Sequence, residues 1–236
     1  IPAHLQGDFP ALAAWLAAPD ANADAARLAA HVDRMAIRCA AIDRLLRSCL
    51  AAVDQLVIVG AGLDTRAFNP GLVDHATVFE ADFAHVLDYK AARLAAFPLA
   101  CRRRVAVPGD ATAVDFADRL CAAGFDRTTP TVWLVEGVFV YLDGAQAAAL
   151  NRNLAALSAP DSRLIATFMG ARTRATFTAG MVTRCDDPAA LLRAYGWQAE
   201  VRHYADLARD FARSFPDDDD FYLACTAPRG ASGPHD

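Results

Sequence analysis

Acidic side chains follow three consecutive apolar runs in the middle of the sequence. Glu80 and Asp82 end the first of these runs. Asp110 follows the next run, and Glu136 ends the third. Carboxylates at such positions can accept hydrogen bonds from ribose hydroxyls or an exocyclic amine, or pair with an ammonium group. Each acid could instead cap a helix, which is common after a strand. Their recurrence at three run ends favours a binding site over three separate caps.

A glycine turn precedes these acids. Residues Gln55–Arg66 read QLVIVGAGLDTR, a β-branched apolar run followed directly by Gly60 and Gly62. The run predicts a strand that is buried on both faces. Glycines let the backbone turn sharply and come close to a ligand. Asp64 and Thr65 predict the N-cap of a following helix, whose free N–H groups could face that ligand.

The spacing of this turn bears on the kind of ligand. The dinucleotide fingerprint G-x-G-x-x-G is incomplete, because Thr65 stands where its third glycine is expected. This weakens an NAD(P) interpretation and favours a ligand without a pyrophosphate, of which S-adenosylmethionine (SAM) is the obvious one. Asp82 lies 20 residues after Gly62, which is typical of an acid that binds ribose. Glu80 points to the same side of its strand, so spacing alone does not choose between the two acids.

The turn and the acids belong to an alternation of strands and helices. Strands are predicted at residues 55–59, 76–81, 104–107, 131–136, 162–168, 198–202 and 221–226. Helices are predicted at residues 83–97, 113–123, 143–157 and 188–195. This alternation predicts a mostly parallel, doubly wound α/β sheet. Ligands of such sheets bind outside the carboxyl ends of the strands, which is where the acids fall.

The ends of the chain differ from this middle part. Residues 1–54 are rich in alanine and predict helices at 12–18, 22–32 and 33–52. We therefore expect a helical N-terminal part at 1–54, a ligand-binding core at 55–227 and a loose tail at 228–236. The run Asp217–Asp220 lacks the glycine and glutamate spacing of a calcium loop, so it predicts a solvated turn.

The composition narrows the possible partners and location. The chain has 236 residues, of which 55% are hydrophobic, and a net charge of -5, which suits one large domain. No basic stripe argues for nucleic acid. No apolar run approaches the ~20 residues of a membrane helix, and the first residues show no signal-peptide pattern. The six cysteines and six histidines are dispersed, so we expect no metal site, and reduced core cysteines of a cytoplasmic protein.

Four motifs together resemble the leucine carboxyl methyltransferase family. They are VIVGAGLDTRAF, VFEADFAHVLDYK, VPGDA and TVWLVEGVFVYL, and the resemblance covers about residues 38–168. The bacterial branch of this family includes SAM-dependent O-methyltransferases of polyketide biosynthesis. The resemblance implies a class I methyltransferase fold, with a seven-stranded sheet whose last strand is antiparallel. It also implies that the N-terminal helices and the segment after strand five cover the substrate.

The resemblance implies a role for individual residues. The glycine turn of the family falls on Gly60, Ala61 and Gly62, its ribose-binding acid on Asp82, its adenine-framing pair on Asp110 and Ala111, and its strand-four acid on Glu136. Phe83 follows the ribose-binding acid, and Arg38 matches an upstream arginine that meets the SAM carboxylate. The chain departs from the pattern at Ala84, where the family often has proline, and at Ala111, where it has leucine. The family also has an R-T-R patch, of which this chain has only Arg38.

The expected chemistry is the transfer of a methyl group from SAM to an oxygen of a small molecule. A carboxylate acceptor is already ionised near pH 7 and needs no general base, whereas a hydroxyl acceptor normally does. No sequence feature places His75 or His203 in the cleft. Binding a carboxylate still requires donors or cations. The candidates, in sequence order, are Arg66, Tyr141, Arg172, Arg174 and Arg184, of which Tyr141 ranks first because it lies within the VFVYL motif.

Three interpretations remain open at this stage. The first is a SAM-dependent methyltransferase that acts on a carboxylate or hydroxyl of a small molecule. The second is a non-catalytic binding protein on the same scaffold, which the altered Asp110-Ala111 pair and the reduced arginine patch allow. The third is an NAD(P)-dependent oxidoreductase, against which the missing third glycine counts.

Overall fold

A computed structural model describes residues 21–173, 181–215 and 220–230, with side chains from residue 29 onward. Its α-helices in these ranges are α1 (Ala21–Leu50), α2 (Ala84–Leu94), α3 (Phe116–Ala122), α4 (Gly144–Ala156), α5 (Pro188–Arg193) and α6 (Tyr204–Asp210). Its strands are β1 (Gln55–Val59), β2 (Thr77–Asp82), β3 (Arg103–Pro108), β4 (Val132–Val135), β5 (Arg163–Met169), β6 (Ala199–His203) and β7 (Phe221–Thr226). One-turn 3-10 helices, Arg66–Phe68 and Phe139–Tyr141, follow β1 and β4.

The seven strands form one sheet in the order β3-β2-β1-β4-β5-β7-β6. Strands β1 to β5 pair in parallel, whereas β7 runs antiparallel to both β5 and β6. The predicted α/β sheet with an antiparallel last strand is therefore confirmed. The chain winds outward in both directions from β1 and β4. Their carboxyl ends thus form the switch point at which open α/β sheets bind ligands.

Alternating side chains of the central strands build a core on each face of the sheet. Leu56 and Ile58 of β1 belong to the cluster that α1 covers with Ile37, Ile42 and other apolar residues. Val57 and Val59 point to the opposite face. Trp133 and Phe139 are buried on that second face.

Helix α1 differs from the sequence prediction. One continuous helix of 30 residues replaces the two helices predicted at 22–32 and 33–52. Neither proline nor glycine interrupts this stretch, and Asp33, expected to begin a new helix, instead pairs with Arg213. Nothing local therefore ends the first helix. The helix predicted at 12–18 lies outside the described residues.

Several smaller predictions are also corrected. The glycine turn leads into only a 3-10 turn, in which Thr65 makes no side-chain capping bond. Helix α6 was not expected, because its cap is a histidine: the backbone N–H of Ala205 donates to Nδ1 of His203 at 3.0 Å. The helix predicted at 143–157 begins with a capping box, since Asp143 and Gln146 each accept from the other's backbone N–H.

Asp220 is buried, although the acidic run predicted a solvated turn. Its carboxylate accepts two hydrogen bonds of 2.7 Å from Arg172. The other members of the run, residues 217–219, lie outside the described part of the chain. The cysteine prediction also needs correction, since Cys39 is exposed whereas Cys49 and Cys101 are buried. No helix among the described residues is long and apolar enough to cross a membrane.

Candidate active site

The glycine turn after β1 is fixed by close packing and by backbone hydrogen bonds. Gly60 and Gly62 have φ of 64° and 41°, in the left-handed region that glycine adopts readily. A Cβ atom on Gly60 would lie 2.5 Å from Cγ2 of Val138. The N–H groups of Gly60 and Ala61 donate to the carbonyl of Ala81 at 2.8 and 3.2 Å. The turn is thereby tied to the end of β2.

Two cavities flank Gly60 at the carboxyl ends of β1, β2 and β4. The first cavity has a volume of about 430 Å³, and its lining includes Arg38, Gly60, Ala61, Gly62, Arg66 and Glu136. The second cavity has a volume of about 410 Å³, and its lining includes Gly60, Asp82, Phe83, Asp110, Ala111 and Tyr141. The fold thus brings the residues predicted to bind SAM, together with Arg66 and Tyr141, to two adjoining cavities.

Ion pairs between α1 and the strand ends organise the first cavity. The guanidinium of Arg66 donates to Asp43 at 2.7 Å, to Asp64 at 2.5 Å and to Glu136 at 2.7 Å. Nε of Arg38 lies 2.5 Å from the other oxygen of Glu136. Arg66 is buried, and three carboxylates surround its single guanidinium. It is therefore less suited to binding an acceptor than the sequence suggested.

Glu136 stays ionised although it is buried. Burial alone would raise the pKa of Glu136, but Arg38 and Arg66 outweigh it and hold this pKa below the ordinary range. Burial likewise would lower the pKa of Arg66, yet Asp64 and Glu136 keep it above its ordinary value. Burial raises the pKa of Asp64 in spite of Arg66. At neutral pH, Glu136 therefore presents a negative charge to the first cavity.

Asp82 stands at the entrance of the second cavity, between the glycine turn and the end of β2. One carboxylate oxygen accepts from the N–H of Gly62 and the other from the N–H of Phe83, each at 2.7 Å. These bonds fix the carboxylate in the lining of the second cavity. The ring of Phe83 is 54% exposed, so it is available to cover a planar ligand group.

The far wall of the second cavity is a loop after β3. Asp110 accepts from the backbone N–H of Thr112 at 2.7 Å and from its hydroxyl at 2.8 Å. The side-chain amide of Asn153, from α4, donates to the carbonyls of Ala111 and Ala113 at 2.9 and 3.1 Å. A side chain from a different element therefore fixes the loop that carries the predicted adenine-framing pair.

Glu80, which spacing alone could not separate from Asp82, has a structural role. It is fully buried and pairs with Lys90 at 3.0 Å and Arg104 at 2.6 Å. Nζ of the equally buried Lys90 also lies 3.5 Å from the carbonyl oxygen of Ala61. Glu80 thus supports the glycine turn from behind, whereas Asp82 faces the cavity.

Sequence reasoning missed several residues that hold the site. Asp43, Lys90 and Asn153 support it from α1, α2 and α4. Lys90 ends the motif VFEADFAHVLDYK, and Asp43 lies five residues after Arg38. Their positions in or near the family motifs were the available signal. Nothing in the sequence pointed to Asn153, because its partners are backbone carbonyls about 40 residues away.

Other polar candidates lie elsewhere. Nε2 of His75 lies 2.7 Å from the carbonyl oxygen of Leu50, and His203 caps α6. Arg172 binds Asp220, and Arg184 is exposed. Within the described parts of the chain, none of these four lines either cavity. Arg174 lies outside the described residues.

The family of the protein follows from comparison with known sequences. The model of the leucine carboxyl methyltransferase family matches residues 7–155. A protein of Mycolicibacterium gilvum is 34% identical over 230 residues, covering 86% of this chain and 72% of its own. A protein of Mycobacterium avium is 36% identical over 192 residues. Both relatives carry provisional names as S-adenosyl-L-methionine-dependent methyltransferases. The chain belongs to the leucine carboxyl methyltransferase family.

The match to the Mycobacterium avium protein covers 72% of this chain and 63% of that relative. The chain therefore spans less than two thirds of the length of that relative.

Solved structures show the same fold at low sequence identity. A DUF574-family protein of Streptomyces avermitilis aligns with a TM-score of 0.63 and 16% identity, covering 82% of this chain and 83% of its own. The 1,6-didemethyltoxoflavin-N1-methyltransferase of Burkholderia thailandensis, solved with its substrate and S-adenosylhomocysteine, aligns with a TM-score of 0.56 and 17% identity. That alignment covers 84% of this chain and 80% of the other. The class I methyltransferase fold implied by the sequence motifs is confirmed.

Proposed function

We propose that the protein is a SAM-dependent methyltransferase that methylates an oxygen atom of a small molecule. One observation carries this proposal: two adjoining cavities meet at Gly60, one lined by charges of both signs and the other largely apolar with acids at its rim. SAM has the same division, because a zwitterionic amino acid and an adenosine flank its sulfur. The residues present therefore fit the ligand on both sides.

The second cavity is proposed to hold the adenosine. The carboxylate of Asp82 would accept hydrogen bonds from the two ribose hydroxyls. Asp110 would accept from the adenine amine, while Phe83 and Ala111 would face the two sides of the ring. The small side chain of Ala111 leaves one wall wider than leucine would.

The first cavity is proposed to hold the amino-acid end. Glu136 would pair with the ammonium group and Arg38 with the carboxylate. These two side chains now pair with each other, so the ligand would insert its own charges into an existing pair. Arg66 is proposed to keep Glu136, Asp64 and Asp43 in place rather than to contact the acceptor. It is thus a positioning residue.

The protein contributes alignment and exclusion of water more than proton transfer. When bound, SAM supplies an electrophilic methyl group on a sulfonium sulfur. The residues around it must hold an acceptor oxygen in line with that methyl group. No histidine is among the described residues that line the two cavities, which favours an acceptor that is already ionised, such as a carboxylate. Tyr141 lines the second cavity and is 51% exposed, and its hydroxyl is proposed to donate to such an oxygen.

The resemblance to the bacterial branch of the family supports an acceptor from secondary metabolism, such as a polyketide. Residues 1–54 are proposed to cover the substrate. This is supported by α1, which already supplies Arg38 and Asp43 to the first cavity.

Calorimetry with S-adenosylhomocysteine tests the proposed function. We expect the folded chain to bind it, and Asp82→Ala to weaken binding by about 100-fold, because two hydrogen bonds to a charged group are lost. Asp88→Ala is the matched control, since Asp88 is an exposed acid of α2. A folded protein that does not bind S-adenosylhomocysteine, or stabilisation by NAD alone, would contradict the proposal. Binding without turnover of labelled SAM would indicate the non-catalytic alternative.

A further inference from the structure

Two cysteines meet in the interface between α1 and the sheet. Cys49 belongs to the buried core cluster that α1 forms with one face of the sheet, and Cys225 of β7 packs against the same cluster. The thiols of the two residues are hydrogen-bonded to each other. Both are free cysteines. Neither lines the two cavities that we assign to SAM, so the proposed function gives this pair no role.

Regular secondary structure fixes the direction of both side chains. Cys49 lies two helical turns after Ile42, so both point from α1 toward the sheet. In β7, Leu223 and Cys225 face α1, whereas Ala224 belongs to the core on the opposite face. The contact between the two thiols therefore results from the packing of α1 on the sheet.

A third cavity connects this pair with the surface. It has a volume of about 220 Å³, and its lining includes Cys225, Leu45 of α1 and Leu207 of α6. Arg44 also lines it with a side chain that is 52% exposed, so the cavity reaches the solvent. A cavity of this size admits small molecules such as water or hydrogen peroxide. Cys49, which is only 4% exposed, lies behind Cys225.

The hydrogen bond between the thiols makes Cys49 the more acidic of the two. The bond donated by Cys225 lowers the pKa of Cys49 in spite of burial, and the positive charge of Arg163 lowers it further. The same bond, together with burial, raises the pKa of Cys225. Burial also raises the pKa of the thiols of Cys39 and Cys101. Because the thiolate is the form that reacts with peroxides, Cys49 supplies the nucleophile of the pair.

We propose that Cys49 and Cys225 form a reversible redox site, in which a peroxide joins the two thiols in a disulfide between α1 and β7. This inference goes beyond the proposed function, and its test requires no SAM. The oxidant is named by its class, a peroxide, and the reductant that reverses the step is a dithiol. The disulfide would be the only covalent link between the two elements.

The reaction balances with one molecule of hydrogen peroxide. The Cys49 thiolate attacks one peroxide oxygen, the O–O bond breaks, and the hydroxide that leaves takes up the proton lost by the thiol. The sulfur of Cys225 then attacks the sulfenic acid on Cys49. The S–S bond forms as the S–O bond breaks, and the hydroxyl leaves as a second water with the proton of the Cys225 thiol. The two sulfurs together lose the two electrons that the peroxide gains.

Forming the disulfide requires the sulfurs to come closer than in a hydrogen bond. Cys49 is the last but one residue of α1, and helix ends adjust more easily than helix interiors. Strand β7 is held on both sides, by β5 and by β6. The end of α1 is therefore the part that moves toward the strand.

The disulfide would tie the first described helix to the last described strand. Closing so long a loop restricts the unfolded chain and stabilises the folded one. We expect the oxidised chain to unfold at about 1 M more urea than the reduced chain. Helix α1 also supplies Arg38 and Asp43 to the first cavity, so the same bond would hold these two side chains on the sheet.

Mass spectrometry of the full chain tests for the disulfide. The folded protein is treated with a small molar excess of hydrogen peroxide, its remaining thiols are alkylated in denaturant, and it is digested with trypsin. The reduced chain has six cysteines to alkylate, and we expect oxidation to remove two of them. The tryptic peptides 48–66 and 214–229, each with one cysteine, should be linked, and dithiothreitol should separate them.

Alanine variants assign the bond to this pair. Cys49→Ala and Cys225→Ala should each lose both the linked peptide and the rise in the urea midpoint. Cys101→Ala is the matched control, since Cys101 is a buried cysteine of the same core cluster, and it should keep both. Urea unfolding of the reduced variants shows that each one folds.

Three results would overturn the proposal. One is a folded wild-type chain that keeps all its thiols at a peroxide concentration that oxidises free dithiothreitol. Another is oxidation of Cys49 or Cys225 to a sulfinic acid without the linked peptide. The third is a disulfide that joins other cysteines in place of this pair, or that appears only after the chain is unfolded in urea.

Discussion

At the scale of single residues, the site depends on positions where the type of side chain leaves little choice. Gly60 must have a positive φ and must also leave room for Val138. Asp82 must accept from Gly62 and Phe83 and still present its carboxylate to the second cavity. Glu136 must stay charged although it is buried, which Arg38 and Arg66 make possible. Each requirement comes from backbone geometry or from an opposite charge.

Substituting Gly60 and Gly71 separates the cost of the positive φ from the cost of the close contact with Val138. In Gly60→Ala, the positive φ costs about 1–2 kcal/mol, and the overlap with Val138 forces the turn to move. Gly71 provides the matched control, since it has a φ of 77° and a Cβ added to it would meet no atom within 4 Å. Both alanine variants should lose similar stability from the strained backbone in urea unfolding, with a further loss for Gly60→Ala. Only Gly60→Ala should lose affinity for S-adenosylhomocysteine. Unchanged affinity there would show that the turn does not contact the ligand.

Some of these residues could be identified from the sequence and others could not. The glycine turn, Asp82 and Glu136 follow short strands directly, so local order along the chain places them. The choice of Asp82 over Glu80 needed the motif or the structure, because both lie on the same side of β2.

At the scale of elements, sequence patterns predicted strands better than helix ends. The central strands were predicted well because buried runs of β-branched residues are distinctive. Helix α1 was divided wrongly at Asp33, whose side chain pairs with Arg213, 180 residues later in the chain. Helix α6 was missed because His203 is an unusual cap. Ends that depend on distant partners or rare caps carry no strong local signal.

The buried pair between β2 and α2 gives a prediction at this scale. Glu80→Gln leaves Lys90 buried beside a neutral partner, which should cost about 3–5 kcal/mol of unfolding free energy at pH 7. Burial lowers the pKa of Lys90, and Glu80 opposes this only in part. The cost of burying a charged Lys90 is present below its folded pKa and fades as pH rises toward its unfolded value. The loss measured by urea unfolding should therefore shrink between pH 7 and pH 10.

A double variant is the control for this pair. Glu80→Leu combined with Lys90→Met replaces the two fully buried charges with apolar side chains of similar size. Arg104, whose side chain is partly exposed, loses Glu80 in both variants, so the double variant should be more stable than Glu80→Gln alone. If the double variant lost as much unfolding free energy as Glu80→Leu and Lys90→Met together, the two side chains would not be coupled. Equal losses for Glu80→Gln at pH 7 and pH 10 would contradict the assignment of the cost to the charge on Lys90.

At the scale of the whole molecule, one helix links the core to the site. Helix α1 packs Ile37, Ile42 and Leu46 against one face of the sheet and presents Arg38 and Asp43 to the first cavity. A ligand that pairs with Arg38 therefore also stabilises the contact between α1 and the sheet. Saturation at about 100 times the dissociation constant would add about 2.7 kcal/mol to the stability of the folded chain.

The arrangement of two cavities around Gly60 is the central claim, and a crystal structure with S-adenosylhomocysteine tests it most directly. We predict the ribose hydroxyls within hydrogen-bond distance of Asp82 and the adenine between Phe83 and Ala111. The amino-acid end should lie beside Glu136 and Arg38, with the sulfur near Gly60, where the two cavities meet. A ligand in the reverse orientation, or one bound away from the glycine turn, would contradict the account.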